Sequence, residues 1–262
     1  MNKLIIKTAM SIALIACFYN LKAQNSADFL KDYIKFSAFG QYTVEKEGVV
    51  FKEDPTVNYS INKYVVQHFG VSFNVYQTKH WNFKTGLIFK FKLIAESFLW
   101  TGEQTGAEFD YKFSSTFDSA SKMNAIPLIA EYIIPISKRI KWEIAPSFTF
   151  AYFTGQEGGG GHILGFNPNP IEMYTYFDGY DKNPLFTSAE ISTGFYFLFK
   201  HFMLQPEFRY SKSFRDVFTG HYTIENLRTE PHNSKGTFKQ SGDYWGFSLS
   251  IYIKKKGKNK KK

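Results

Sequence analysis

Charged side chains recur at even spacings inside several otherwise apolar segments, where they could form ion pairs. Lys84, Lys90 and Lys92 occupy one such segment, and acidic residues occupy similar positions in others. A buried charge has to pair or be neutralised, because removing it from water is costly. We therefore predict a network of salt bridges and hydrogen bonds inside the fold. Its members are Lys84, Lys90, Lys92, Glu131, Lys141, Glu143, Glu190, Glu207 and Arg209.

Three other groups of residues could carry chemistry, but each lacks a necessary part. His232 and Ser234 have the i, i+2 spacing that would let a histidine activate a hydroxyl, yet no third group orients them. The run Gly158–Gly161 lacks the Lys-Ser/Thr of a phosphate loop and is interpreted as a flexible loop. Asp178 and Asp181 lack the dense oxygen pattern of a calcium site. We predict no catalytic residue, no metal site and no cofactor.

The elements that must position the charges are β-strands, because these segments alternate between apolar and polar residues with a period of two. The clearest case is a hairpin over 64–93, whose arms are long enough to cross a bilayer as tilted strands of roughly 9–11 residues. Pro127 within a strand indicates a bulge or a strand end. About eight strands are predicted, near 33–43, in the two arms of 64–93, and near 123–134, 140–153, 186–199, 202–213 and 243–253.

The connections alternate in length, as in the barrels of bacterial outer membranes. Three are short: 77–80, 135–139 and 200–201. Four are long: 44–63, 95–121, 154–185 and 214–241. We predict an all-β fold, a closed antiparallel up-and-down transmembrane β-barrel with short periplasmic turns and four long outer loops. Both termini would then be periplasmic.

The size of the polar residues indicates which face lies inside. They are often small, such as Gly70, Ser72, Ser192, Gly194 and Ser248, and small residues suit the crowded interior of a barrel of about eight strands. The opposite face is bulky and aromatic, as contact with lipid requires. A soluble, lipocalin-like barrel would instead point the apolar face inward. Aromatic residues near strand ends are predicted to lie at the lipid interface: Trp81, Trp142, Tyr152, Phe202, Tyr210 and Trp245.

The two ends of the chain account for its basic character. The net charge is +9, but three lysines lie in 1–23 and seven in 254–262, with no acid in either segment, so residues 24–253 have a net charge of −1. A nucleic-acid-binding protein should carry a basic patch on its folded body, so we predict no nucleic-acid partner. The lysine tail is either a solvated charge run or a contact with anionic lipid head groups.

Residues 1–23 resemble an export signal, with Lys3 and Lys7 before a short apolar stretch and Ala23 at a small-residue cleavage site. An alternative is a lipobox ending at Cys17, the only cysteine, which would become the lipidated N-terminus. Domain boundaries are predicted at 1–23 for the signal peptide, 24–253 for the barrel and 254–262 for the lysine-rich tail. Export through the Sec pathway to the outer membrane of a Gram-negative cell follows.

Several short motifs resemble small outer-membrane barrel proteins, and specifically the PorT-like outer-membrane barrel family. They are Ile126-Pro127-Leu128, Glu131-Tyr132, Phe208-Arg209-Tyr210-Ser211 and the closing segment 245–253. The OmpA, OmpX and OmpW types share this architecture. The chain departs from such proteins in its lysine tail, which follows the aromatic residue that barrel-insertion machinery reads. The resemblance implies location and fold, since function varies widely among these barrels.

The sequence thus predicts a non-enzymatic, structural or interaction protein that presents outer loops on a plugged barrel. Its expected partners are outer-membrane lipids, lipopolysaccharide, the barrel-insertion machinery, and a surface partner or polysaccharide reached through the loops. The alternatives are a narrow channel for small solutes, a lipid A or phospholipid hydrolase at the rim, and a soluble ligand-binding barrel.

Overall fold

A computed structural model describes residues 28–54, 56–153, 158–165, 169–178 and 184–255, without the side chains of 117–122. The predicted signal peptide with Cys17, most of the lysine tail and Asp181 lie outside these residues. No helix in the described part of the chain is long and apolar enough to span a membrane.

Fourteen strands, a short α-helix and one 3-10 helix make up the described structure. The 3-10 helix is Asp28–Asp32, and helix α1 is Gly102–Thr105. The strands are β1 (Tyr33–Glu45), β2 (Val49–Lys52), β3 (Asn58–Ile61), β4 (Tyr64–Gln77), β5 (Trp81–Trp100), β6 (Tyr111–Pro135), β7 (Ile140–Phe153), β8 (Gly158–Leu164), β9 (Ile171–Phe177), β10 (Leu185–Leu198), β11 (Phe202–Ser213), β12 (Asp216–Glu225), β13 (Ser234–Ser241) and β14 (Tyr244–Lys254).

Eight of these strands form a closed barrel in which each strand pairs with the next barrel strand along the chain. The order is β1, β4, β5, β6, β7, β10, β11 and β14, and β14 pairs with β1 to close the sheet. Every pairing between these strands is antiparallel. The prediction of a closed antiparallel barrel of about eight strands is therefore confirmed, and the three short turns lie at the predicted places.

The predicted direction of the two faces also holds. On β14, Phe247, Leu249 and Ile251 are 45–52% exposed, whereas Ser248 and Ser250 between them are almost fully buried. The apolar face thus points out of the barrel and the polar face points into the lumen. This arrangement is the reverse of a soluble, lipocalin-like barrel.

Two sequence predictions about strand limits are wrong. The segment 95–121 is not one long connection, because β5 runs on to Trp100 and β6 begins at Tyr111. Of the inward residues Ile94, Glu96, Phe98 and Trp100 in this extension, only Glu96 is charged and the others are apolar, so the polar-in pattern weakens while the strand continues. Pro127 marks neither a bulge nor a strand end: it lies inside β6, in unbroken register with β7.

The long connections form a second, five-stranded antiparallel sheet in the order β2-β13-β12-β9-β8. We call it the outer sheet, and we call the barrel end with the long connections the upper end. One face of the outer sheet packs on an apolar cluster at this end, which includes Ile94, Phe98, Trp100, Met173, Phe218, Tyr222, Ile224 and Phe238. A smaller cluster closes the lower end and comprises Leu30, Tyr33, Ile133, Tyr196, Met203 and Tyr252.

Candidate functional site

The lower part of the lumen is built around Glu131, which β6 points inward. The Lys84 ammonium forms an ion pair with its Oε1, and Gln205 Nε2 donates to the same oxygen at 3.0 Å. Asn82 Nδ2 and the Tyr196 hydroxyl donate to Oε2 at 2.6 and 2.7 Å. All five residues are buried, so this carboxylate is held by four donors away from solvent.

Arg209 connects the lower lumen to the upper lumen. Its Nη2 donates to both oxygens of Glu207, at 3.0 and 2.9 Å, and its Nη1 lies 3.8 Å from Glu190 Oε2. The hydroxyls of Ser192 and Ser248 also donate to Glu207, at 3.3 and 3.1 Å. Glu207 therefore has donors on both oxygens.

Two further lysine–glutamate pairs lie above Arg209. Lys90 Nζ is 3.4 Å from Glu190 Oε1, and Lys92 forms an ion pair with Glu45. His68 Nδ1 accepts a bond from the Phe91 backbone N–H at 3.2 Å, so its Nε2 carries the proton of a neutral ring. That Nε2 lies 3.8 Å from Glu45 Oε1.

The remaining two members of the predicted network make none of these contacts. Glu143 is buried in the lower lumen, but neither of its oxygens has a hydrogen-bond partner among the described residues. Lys141 lies half-buried at the lower rim, where its Nζ donates to the Ser137 carbonyl at 2.9 Å. The structure thus brings seven of the nine residues into ion pairs, whereas Glu143 has no hydrogen-bond partner among the described residues.

Glu131, Glu143 and Glu207 each place a carboxylate oxygen within 4.8 Å of the others, a spacing compatible with one metal ion. Glu131 and Glu207 are already occupied by lysine, arginine and neutral donors. Hard cations such as Ca²⁺ take six to eight oxygen ligands, and these two carboxylates have little capacity left. We do not assign a metal centre here.

The six aromatic residues predicted for the lipid interface all point out of the barrel wall. Trp81 and Phe202 begin strands at the lower end and are 38% and 37% exposed. Trp142, also at the lower end, donates from Nε1 to Thr193 Oγ1 at 2.8 Å. Nearer the upper end, Tyr152, Tyr210 and Trp245 are 48–53% exposed.

The loop residues that could carry chemistry are not assembled into a site. His232 Nδ1 is bonded to the Leu227 carbonyl at 2.9 Å and its Nε2 lies 3.3 Å from Glu230, whereas Ser234 is buried. Asp178 Oδ2 accepts a bond from the Thr219 hydroxyl at 2.9 Å. The glycine run interpreted as a flexible loop is instead the start of strand β8, so that prediction is wrong.

The outer sheet is the feature that sequence reasoning missed, although it has a signal. In β9 the residues Ile171, Met173, Thr175 and Phe177 alternate with Glu172, Tyr174 and Tyr176, which is the same period of two. Gly220 allows β12 to lie close to its neighbours, because a Cβ there would be 2.1 Å from the Tyr176 carbonyl. Such a close approach is a common reason for glycine within a strand.

The outer sheet presents a cross-strand row of exposed side chains, three of them aromatic, on its free face. Tyr176 and His221 are paired across β9 and β12, with ring centroids 4.9 Å apart, and Thr237 and Phe51 continue the row across β13 and β2. Three neighbouring aromatic residues of the long connections, Phe177, Phe218 and Tyr222, are instead buried beneath the sheet.

Glu96 fastens the outer sheet to the barrel extension. Its Oε2 accepts bonds from the hydroxyls of Tyr59 and Thr175, both at 2.9 Å, and its Oε1 lies 3.4 Å from His162 Nε2. Burial raises the pKa of the Tyr59 phenol, and the neighbouring Glu96 carboxylate adds to this effect. The Glu96 carboxylate on β5 is therefore contacted by side chains from β3, β9 and the edge strand β8.

No protein-family model matches the chain, and no curated protein sequence is significantly similar to it. Among solved structures, the outer membrane protein OprG from Pseudomonas aeruginosa is similar at 7% identity and a TM-score of 0.40, over 85% of this chain and 98% of OprG. Neisserial surface protein A is similar at 11% identity and a TM-score of 0.38, over 84% and 97%. The outer membrane protease OmpT from Escherichia coli is similar at 8% identity and a TM-score of 0.33, over 83% and 91%. Similarity at this level carries no information about function.

Proposed function

We propose that the protein is an outer-membrane β-barrel with a plugged lumen and a non-enzymatic role, in which the barrel holds the outer sheet at the cell surface for contact with partners. The observation that carries this proposal is the filled lumen. Ion pairs occupy its centre, and apolar clusters lie above and below them. A cavity of about 20 Å³ beside Lys90 and Lys92 is large enough for about one water molecule.

The outer surface of the barrel supports a membrane location. Large apolar residues that are 45–59% exposed occur on strand after strand, among them Phe36, Phe69, Val71, Phe89, Leu128, Phe148, Ile191, Phe208, Phe247 and Ile253. Soluble monomers rarely expose a contiguous apolar patch of more than a few hundred Å². Lipid tails, with lipopolysaccharide in the outer leaflet, are the surroundings that suit this apolar outer surface. The barrel-insertion machinery would insert the chain into the membrane.

The outer sheet supports an interaction role. It places Phe51, Tyr176 and His221 on a free face held by a rigid base, and exposed aromatic side chains are favoured in contacts with protein partners. A surface protein or a polysaccharide is the partner we propose for this face. The bonding of His232 to the Leu227 carbonyl and the burial of Ser234 favour this role over a hydrolase at the rim.

Planar-bilayer recordings test the plugged barrel. We expect the purified protein to insert and to give no discrete conductance steps, because ion pairs occupy the centre of the lumen and apolar clusters lie above and below them. A porin reconstituted in the same lipid is the control that shows that insertion is detectable. Reproducible single-channel steps from this protein would favour the narrow channel instead.

A further inference from the structure

The charges of the lumen do not balance, and the imbalance lies at Glu143. Among the described side chains, five carboxylates lie in the lumen below the upper apolar cluster, those of Glu45, Glu131, Glu143, Glu190 and Glu207. Four cations face them: Lys84, Lys90, Lys92 and Arg209. His68 adds no charge, because its Nδ1 accepts a backbone hydrogen bond. Four of the carboxylates contact a lysine or arginine, so Glu143 is the one left over.

The sheet is shaped to bring Glu143 close to another carboxylate. Glu143 on β7 is paired with Gly194 on β10, and Gly194 is paired with Glu207 on β11. A Cβ at Gly194 would lie 2.9 Å from Glu207 Cγ and 2.3 Å from the Pro206 carbonyl. The glycine therefore leaves a gap between the two glutamates, into which both side chains can turn.

Three carboxylates consequently meet with too few donors. Oxygens of Glu131, Glu143 and Glu207 lie within 4.8 Å of one another. Glu131 has four donors and Glu207 has Arg209 with two serine hydroxyls, whereas both oxygens of Glu143 are buried without any. A buried carboxylate with no donor, next to two others, is costly in both desolvation and repulsion.

We propose that this cluster is a proton-binding site, in which Glu143 is a neutral carboxylic acid that shares its proton with the adjacent glutamates. One proton removes the excess negative charge of the lumen and needs no further ligand. A divalent ion would exceed the charge required, and it would have to displace Lys84 or Arg209 from its carboxylate. The groups facing the site are Lys84 on β5, Glu131 on β6, Tyr196 on β10, Glu207 and Arg209 on β11, and Tyr252 on β14.

Infrared spectroscopy of the full mature chain in detergent at neutral pH tests this proposal. We expect the carbonyl band of a protonated carboxylic acid, equivalent to one group per chain, which shifts when the glutamates are labelled with ¹³C. Glu143→Gln should remove the band and retain the fold, since glutamine has the same shape and no charge. Glu108→Gln, at an exposed position above the barrel, should leave the band unchanged.

Two results would overturn the proposal. One is a wild-type spectrum without a protonated-carboxylate band, or a band that survives in Glu143→Gln. The other is a melting temperature that falls for the wild type, but not for Glu143→Gln, when sodium is replaced by choline or a divalent chelator is added. That pattern would identify a metal cation as the occupant.

Discussion

At the scale of single residues, each buried cation of the lumen depends on its carboxylate partner for charge compensation. Lys84 has three acceptors, the Glu131 carboxylate, Gln205 Oε1 at 3.3 Å and the Tyr252 hydroxyl at 3.2 Å. Only Glu131 carries a compensating charge in that contact. A buried ion pair contributes modestly compared with an apolar pair, but removing one partner leaves an isolated charge in a medium of low dielectric constant.

Glu131→Ala should therefore lower the free energy of unfolding by about 3–5 kcal/mol, because Lys84 loses its counter-ion and three other donors lose their acceptor. Urea-induced unfolding in lipid vesicles, followed by tryptophan fluorescence, measures the change. The exposed Glu108→Ala is the matched control and should stay within about 0.5 kcal/mol of the wild type. Equal effects of the two variants would contradict a stabilising network.

At the scale of elements, the outer sheet depends on contacts with the barrel extension. Its buried face carries Met173, Tyr222, Ile224 and Phe238, which pack on the apolar cluster at the upper end. Burial raises the pKa of the Tyr222 phenol to about 12, and the carboxylates of Asp54 and Glu53 act in the same direction. Glu96 adds the polar fastening between β5 and β9.

Glu96→Leu should loosen the outer sheet and spare the barrel, because it removes the acceptor shared by Tyr59 and Thr175. We expect faster amide hydrogen exchange in β9 and β3, with unchanged exchange in β11 and β14. Hydrogen–deuterium exchange with mass spectrometry reports both regions in one sample. Glu172→Leu is the control, since Glu172 is on the same strand as Thr175 but on the opposite face. Slower or unaltered exchange in β9 of Glu96→Leu would show that Glu96 is not a fastening.

At the scale of the whole molecule, the barrel is polar inside and apolar outside. The short turns lie at one end and the outer sheet lies at the other. If the protein spans the outer membrane as proposed, the sheet faces the medium and the turns face the periplasm. The mature chain lacks cysteine if residues 1–23 are removed, so an introduced cysteine reports its own position.

Thr237→Cys on the free face of the outer sheet should react with a membrane-impermeant maleimide on intact cells. Lys138→Cys, in the turn between β6 and β7, should react only after the outer membrane is permeabilised. Both positions are exposed, so accessibility within the fold does not distinguish them. The unmodified chain should remain unlabelled. Labelling of Lys138→Cys but not of Thr237→Cys on intact cells would contradict this orientation and indicate the opposite one.

The sequence by itself determined the eight barrel strands, because alternation is a local property, and the small size of their polar residues determined which face lies inside. Successive side chains of a strand point to opposite sides whatever the strand pairs with. Phe247, Ser248 and Leu249 could therefore be assigned to the outside or the lumen without knowledge of their neighbours. The predicted strand limits are wrong at 95–121, and the strands of the outer sheet were not predicted. In both places most inward residues are apolar, so polarity no longer marks the inside.

Only the tertiary structure decided which charges meet. Lys84 and Glu131 are 47 positions apart, and Lys90 and Glu190 are 100 apart. Lys84 and Glu131 lie on the neighbouring strands β5 and β6, and the register of that pair brings them together. Lys90 on β5 and Glu190 on β10 are not on neighbouring strands, and closure of the barrel brings them to one level. The pairing of β7, β10 and β11 sets Gly194 between Glu143 and Glu207, and among the described residues Glu143 has no hydrogen-bond partner. Alternation fixes the face on which a charge lies, whereas barrel closure fixes what lies across from it.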